Sequence, residues 1–144
     1  MGQKDAHRAE ARSKAAKGRL NGITFDAGGL IALERNDRRI FSILATALED
    51  GDRIVVPATA LAQVIRNPAK QVRLWRMIQF DRTEVAPLDG AQAQAVGAML
   101  ARTGAADIAD AHVVICAQSA GQAVVTSDPP DLKRLDPKLR VIAV

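Results

Sequence analysis

The chain has 144 residues, of which 48% are hydrophobic but only 3% aromatic, and it contains one cysteine. This length suits one domain with its own hydrophobic core, and the apolar content, mostly Ala, Val, Leu and Ile, suits a parallel sheet covered by helices. A single cysteine excludes an internal disulfide and a zinc site built from cysteines. The sequence has neither the apolar core of a secretory signal nor about 18 consecutive apolar residues, so we expect a cytoplasmic protein without a membrane segment.

The net charge of +4 comes from the first 20 residues, because the 14 basic and 14 acidic residues after them cancel. We therefore divide the chain into a basic N-terminal tail over residues 1–21, whose composition is compatible with disorder, and one domain over residues 22–144. The tail is a solvated and partly helical extension, a product of an upstream start codon, or a segment that binds nucleic acid electrostatically.

Beyond the tail, short runs typical of β-strands alternate with helical patterns. The five predicted strands cover residues 23–26, 54–57, 84–88, 123–127 and 140–144. Helical spacing of apolar residues around 40–48, a short segment at 59–66, a run at 69–80, and two helices capped by Asp89 and Asp107 lie between them. This alternation predicts a single α/β domain with a mostly parallel sheet of about five strands and helices on both faces.

Three aspartates fall where such a sheet would bind a ligand. Asp26 and Asp128 follow the first and fourth predicted strands, and Asp110 lies about one turn into a helix that Asp107 caps. Ligands bind beyond the carboxyl ends of the strands in open parallel sheets. Because converging carboxylates repel one another unless a cation neutralises them, the three predict a hard-metal site that could activate water against a phosphodiester.

Asp26 and Asp128 also have a simpler interpretation, whereas Asp110 does not, because Asp107 already caps its helix. Asp26 could be a helix cap and Asp128 a turn residue before two prolines, whereas Asp107 could be a cap or could orient the metal ligands. Glu34 is not expected to be a ligand, because it lies about 12 Å along a helix from Asp26. His112, two residues after Asp110, belongs to another face of its helix.

A group of basic residues, three of them at helical spacing, occupies the middle of the chain. Its members are Arg66, Lys70, Arg73 and Arg76. They form either a solvated face or a strip that contacts phosphates or a partner protein.

Taken together, these residues resemble the PIN-domain ribonucleases, specifically the VapC-type toxins of bacterial toxin–antitoxin pairs. The resemblance covers about residues 22–142 and rests on four segments in the order and spacing of the family. The segments are ITFDAGGLIAL at 23–33, VVPA at 55–58 with LA at 61–62, DIADAH at 107–112, and VVTSD at 124–128.

The resemblance implies a Mg²⁺- or Mn²⁺-dependent endoribonuclease of a type II toxin–antitoxin system that cuts structured RNA such as tRNA or rRNA. It also implies a homodimer and a VapB-like antitoxin whose tail occupies the active-site groove. Carried over by position, Asp26 and Asp110 are the principal metal ligands, and Asp128 completes the catalytic site. The ion would lower the pKa of bound water and offset charge on the reacting phosphate.

Gln63 departs from this family, which commonly has a glutamate at that position. Glutamine can orient a water molecule by hydrogen bonding, but it cannot supply negative charge or accept a proton as a carboxylate does. Two hypotheses follow: a ribonuclease toxin, or a degenerate, non-cleaving PIN domain that binds RNA or a protein partner. A phosphotransferase of the haloacid-dehalogenase type would require a second aspartate where Gly28 stands.

Overall fold

In the computed structural model, which describes residues 22–144, five strands form one sheet flanked by seven α-helices. The predicted tail, residues 1–21, lies outside the described residues. The strands are β1 (Gly22–Phe25), β2 (Arg53–Pro57), β3 (Thr83–Ala86), β4 (Ala123–Thr126) and β5 (Val141–Ala143). The helices are α1 (Ala27–Glu34), α2 (Arg38–Glu49), α3 (Ala58–Val64), α4 (Val72–Ile78), α5 (Gly90–Thr103), α6 (Ile108–Ala120) and α7 (Pro129–Leu135), and a 3₁₀ turn covers Pro68–Lys70.

The strand order is β3-β2-β1-β4-β5, and all four neighbouring pairs are parallel. The chain adds β2 and β3 on one side of β1 and then returns to add β4 and β5 on the other side. Because crossovers between parallel strands are right-handed, α1 to α4 belong to one face and α5 to α7 to the other. The predicted α/β domain is therefore confirmed. The reversal of direction opens a crevice between β1 and β4, beyond their carboxyl ends.

The central strands are buried on both faces, as their uninterrupted apolar runs predict. Phe25, Ile54 and Val124 are completely buried in the core. The single cysteine, Cys116, is also buried. Thr24 is the polar exception within β1, and its hydroxyl donates a hydrogen bond to the side-chain oxygen of Gln122 at 2.8 Å. Across residues 22–144, no helix combines the length and apolar character that a membrane crossing requires.

The predicted helix caps occur where expected. Asp89 Oδ1 accepts a hydrogen bond from the N–H of Gln92 at 2.9 Å at the start of α5. Gly104 and Gly121 end α5 and α6 with φ angles of 72° and 63°, in the left-handed region that favours glycine.

Two helical segments differ from their prediction. The run at 69–80 begins with a 3₁₀ turn and becomes α-helical only at Val72, because Pro68 and the side chain of Asn67 set a tight turn first. Helix α7 was not predicted, since Pro129 and Pro130 were interpreted as a turn. They occupy the first helical positions, where proline is well tolerated.

Candidate active site

Asp26 stands between β1 and α1, at the carboxyl end of the central strand. It is only 7% exposed, and its Oδ1 accepts a hydrogen bond from the N–H of Gly29 at 2.7 Å. Burial raises the pKa of Asp26, and the negative charge of Asp128 raises it further. Hydrogen bonds from Thr126 and Gly29 lower the pKa but do not cancel this rise. Asp26 is therefore a helix cap, as the simpler interpretation holds, and also a member of an acidic group.

Asp110 lies in the first turn of α6, and its backbone N–H donates to Oδ1 of the cap residue Asp107 at 2.9 Å. The pKa of Asp110 is raised to about 6, first by burial and then by the carboxylates of Asp107, Asp131, Asp26 and Asp128, in falling order. Like charges this near one another make the ionised form of each costly. The three predicted aspartates therefore come close enough to interact electrostatically, although they belong to three separate segments.

Asp131 is a further acidic residue here that the sequence analysis missed. It lies in the first turn of α7, and its Oδ1 is 3.7 Å from a guanidinium nitrogen of Arg134. The available signal was a repeated spacing, because Asp128 and Asp131 are three residues apart at a helix start, as Asp107 and Asp110 are. We refer to the carboxylates of Asp26, Asp107, Asp110, Asp128 and Asp131 as the acidic edge.

Two glycines bring the segments of the acidic edge together. A Cβ atom on Gly28 would lie 2.1 Å from Oγ of Ser127, and one on Gly29 would lie 2.4 Å from the carbonyl oxygen of Val125. The N–H of Asp26 donates to that same carbonyl at 3.2 Å. The start of α1 therefore packs closely against Val125 and Ser127 at the end of β4, which places Asp26 beside the segment that carries Asp128.

Helix α3 contacts both α1 and α6, which belong to opposite faces, so it lies across the carboxyl edge of the sheet. Oγ1 of Thr59 lies 2.7 Å from Nδ1 of the fully buried His112, which joins α3 to α6. Burial lowers the pKa of His112. Among residues 22–144, its Nε2 has no hydrogen-bond partner of good geometry. A backbone hydrogen bond to Pro87 partly offsets the effect of burial on the pKa of His112. Gln63, one turn beyond Thr59, is exposed.

Glu34 lies apart from the acidic edge. Its Oε1 accepts a hydrogen bond from Nε2 of the buried Gln71, between α1 and α4. The carboxylate is therefore engaged in joining two helices at the far end of α1.

The donor set of the acidic edge consists of carboxylate oxygens, which hard cations such as Mg²⁺ and Mn²⁺ prefer. Within residues 22–144, no three or more His, Cys, Asp or Glu side chains are already placed to hold a metal ion together. The assignment of Asp26, Asp110 and Asp128 as metal ligands stays a prediction.

The parallel sheet and the acidic edge at its switch point define an α/β domain with a candidate site for a hard cation. The chain belongs to the PIN domain family, whose sequence pattern it matches over residues 23–137. VapC-like proteins of this family are nucleases generally, and PIN-domain nucleases generally use a divalent metal ion. A search of curated proteins found no match.

Solved structures with the same fold come from toxin–antitoxin complexes. A chain of VapBC2 from Rickettsia felis, bound to a DNA fragment from their promoter, has a TM-score of 0.66 and 15% identity over 85% of this chain and 98% of that chain. DNA-bound VapBC from Salmonella typhimurium gives a TM-score of 0.64, 18% identity and coverages of 86% and 98%. FitAcB from Neisseria gonorrhoeae has a TM-score of 0.53 and 18% identity over 83% of this chain and 96% of that chain. At these identities the likeness shows the fold alone.

Proposed function

We propose that the protein is a Mg²⁺- or Mn²⁺-dependent endoribonuclease toxin of a type II toxin–antitoxin system. One observation carries the proposal: the acidic edge lies at the switch point of a PIN fold. Its buried member Asp26 and its half-buried member Asp110 have raised pKa values partly because neighbouring carboxylates repel them. A divalent cation would relieve that repulsion.

Asp26, Asp110 and Asp128 would hold the ion. When bound, the ion would lower the pKa of a water molecule and offset charge on the phosphodiester. Oδ1 of Asp26 accepts a hydrogen bond from the Gly29 amide, which fixes the carboxylate at the end of β1. The exposed amide of Gln63 would orient water or phosphate by hydrogen bonding, without contributing charge.

The proposed partners are a structured RNA as substrate, a VapB-like antitoxin and a second copy of the chain, all in the cytoplasm. The three similar structures, which are VapBC2, VapBC and FitAcB, support the antitoxin. Such complexes unite a toxin with its inhibitor, so we expect co-expression with the cognate antitoxin to suppress RNA cleavage.

The decisive experiment is a cleavage assay with a panel of tRNA, rRNA and hairpin substrates in Mg²⁺ or Mn²⁺. We expect cutting of a subset of RNAs, no cutting in EDTA, and a loss of at least about 100-fold in Asp26→Asn, the size that removal of a central electrostatic catalytic group produces. Asparagine caps a helix as well as aspartate does, so this variant should keep the fold.

The alternative is a degenerate PIN domain that binds RNA or a protein partner without cutting. The observation that favours it is Gln63, an exposed amide where the family commonly has a carboxylate. RNA that remains intact at every metal concentration, together with an RNA affinity that Asp26→Asn leaves unchanged, would select this alternative and reject the nuclease.

A further inference from the structure

The segment between α3 and α4 is a turn whose backbone is fixed from inside by one buried side chain. Gln71 is 6% exposed, and its Nε2 donates to the carbonyl of Val64 at 2.8 Å and to the carboxylate of Glu34. Its Oε1 accepts from the backbone N–H of Arg66 at 3.1 Å. The turn is therefore a well-defined platform, attached to α1 and to the end of α3.

The side chains that this platform presents outward are cationic. Arg66, Lys70 and Arg73 are exposed, and we call them the basic turn. None of the three forms an ion pair with any carboxylate in the described part of the chain. Arg66 and Arg73 donate instead to the backbone carbonyls of Ile65 at 2.7 Å and Glu34 at 3.4 Å, which leaves their positive charge uncompensated.

The surrounding sequence adds no negative charge, because residues 53–80 contain no aspartate or glutamate. Glu34, an acid that contacts this segment from α1, is half-buried and hydrogen-bonded to Gln71. Three exposed cations on an ordered turn, with no acidic neighbours on the same segment, form a surface suited to a polyanion.

Helix α3 connects this surface to the acidic edge. Its first turn touches α6 through Thr59 and His112, two residues after Asp110, and its last residue leads into the basic turn. A helix of this length measures about 10 Å. An RNA strand with one phosphate at the acidic edge would thus place neighbouring phosphates within reach of the basic turn.

We propose that Arg66, Lys70 and Arg73 bind the phosphate backbone of RNA beside the phosphodiester that lies at the acidic edge. The location of the reacting phosphate rests on the proposed function, whereas the binding of RNA to the basic turn does not require cleavage. A polyanion that approaches five carboxylates is repelled, so it needs fixed cations next to them. Guanidinium groups suit this role because they can grip a phosphate with two parallel hydrogen bonds.

The test measures RNA affinity of the full chain in EDTA, so that nothing is cut. Fluorescence anisotropy with a labelled single-stranded RNA and a labelled hairpin would compare the wild type with Arg66→Gln/Lys70→Gln/Arg73→Gln. The matched control is Arg82→Gln/Arg102→Gln/Lys138→Gln, which removes three exposed positive charges elsewhere. Thermal melting would verify that both triple variants fold.

We expect the basic-turn triple variant to bind both RNAs at least about tenfold more weakly at 0.1 M salt. The slope of log K against log salt should decrease in magnitude by about 2, since each lost phosphate contact on a single strand removes about 0.7. The control triple variant should change both quantities much less. Arg66→Lys/Arg73→Lys keeps the charge and should retain most of the salt dependence.

Three outcomes would overturn the proposal: no RNA binding by the wild type, equal loss in both triple variants, or an unchanged salt slope in the basic-turn variant. Unchanged RNA affinity combined with lost binding of a poly-glutamate peptide would assign the surface to an acidic protein partner instead. If the wild type never cleaves RNA but the basic-turn triple variant binds RNA more weakly, the RNA-binding proposal is supported and the nuclease proposal is rejected. The two proposals can therefore fail separately.

Discussion

The carboxyl group of Asp110 connects the chemistry of the acidic edge to the stability of the fold. It keeps its proton up to a pH of about 6 in the folded protein, whereas an ordinary aspartate has a pKa near 3.8. The folded state therefore binds more protons than the unfolded state between these values. The resulting stabilisation is complete below pH 3.8 and is lost as the pH rises through about 6.

This pH dependence gives a prediction for Asp110→Asn, which removes the charge but keeps the shape of the side chain. At pH 7.5 without metal, the variant should be more stable than the wild type by about 1–2 kcal/mol, after allowing for solvent screening. The difference should shrink towards pH 4. Urea unfolding monitored by circular dichroism at both pH values would measure it, with the exposed Asp81→Asn as control. Equal stabilities at pH 7.5 would contradict the prediction.

At the scale of residues, sequence patterns predicted that three aspartates lie at one edge of the sheet, but they did not identify every member of the acidic edge. Asp26, Asp110 and Asp128 were predictable because strand ends and helix starts share one edge of a parallel sheet. Asp131 was missed because two prolines masked a helix start. The hydrogen bond between Glu34 and Gln71 joins residues that are 37 positions apart in the sequence, and local sequence patterns do not predict such a contact.

At the scale of elements, α3 is the structural link between the acidic edge and the basic turn. Its contact with α6 includes a partly buried hydrogen bond between Thr59 and the fully buried His112. A buried ring nitrogen that loses its partner retains the cost of desolvation, so this one bond contributes to the alignment of the two helices.

We expect Thr59→Val to lower the free energy of unfolding by about 1–3 kcal/mol, because it leaves the buried Nδ1 of His112 without a partner. Thr59→Ser retains the hydroxyl and should recover most of that loss. Chemical unfolding at pH 7.5 would compare the three proteins. If the valine variant unfolds at the same urea concentration as the wild type, the bond does not hold α3 against α6.

Element boundaries show where sequence patterns are sufficient. Strands β1, β2 and β4 are short buried apolar runs and were predicted to within one residue at each end. The start of α4 was placed too early, because apolar spacing alone cannot distinguish a 3₁₀ turn from the first turn of an α-helix. The order of the strands in the sheet could not be predicted from any single element, because it depends on the point at which the chain returns to add β4 on the other side of β1.

At the scale of the whole molecule, several large apolar side chains remain exposed in the single chain. Phe41 and Leu48, seven residues apart on α2, are 46% and 43% exposed. Homodimers commonly bury such groups across a twofold axis. We therefore expect multi-angle light scattering to give twice the chain mass of 15.3 kDa. A mass of one chain across a hundredfold range of protein concentration would contradict the proposed homodimer.

Gly28 and Gly29 give the domain a geometric property that no carboxylate provides. The start of α1 lies against the carbonyl oxygen of Val125 at Gly29 and against the side chain of Ser127 at Gly28, so neither position has room for a side chain of its own. A methyl group added at either glycine would clash with Val125 or Ser127 and would push α1 away from the end of β4, although no charged residue had changed. The spacing of the negative charges at this end of the sheet thus depends on two residues that carry no charge. A single carbon atom added at Gly29 would widen the acidic edge while every acidic residue remained in the sequence.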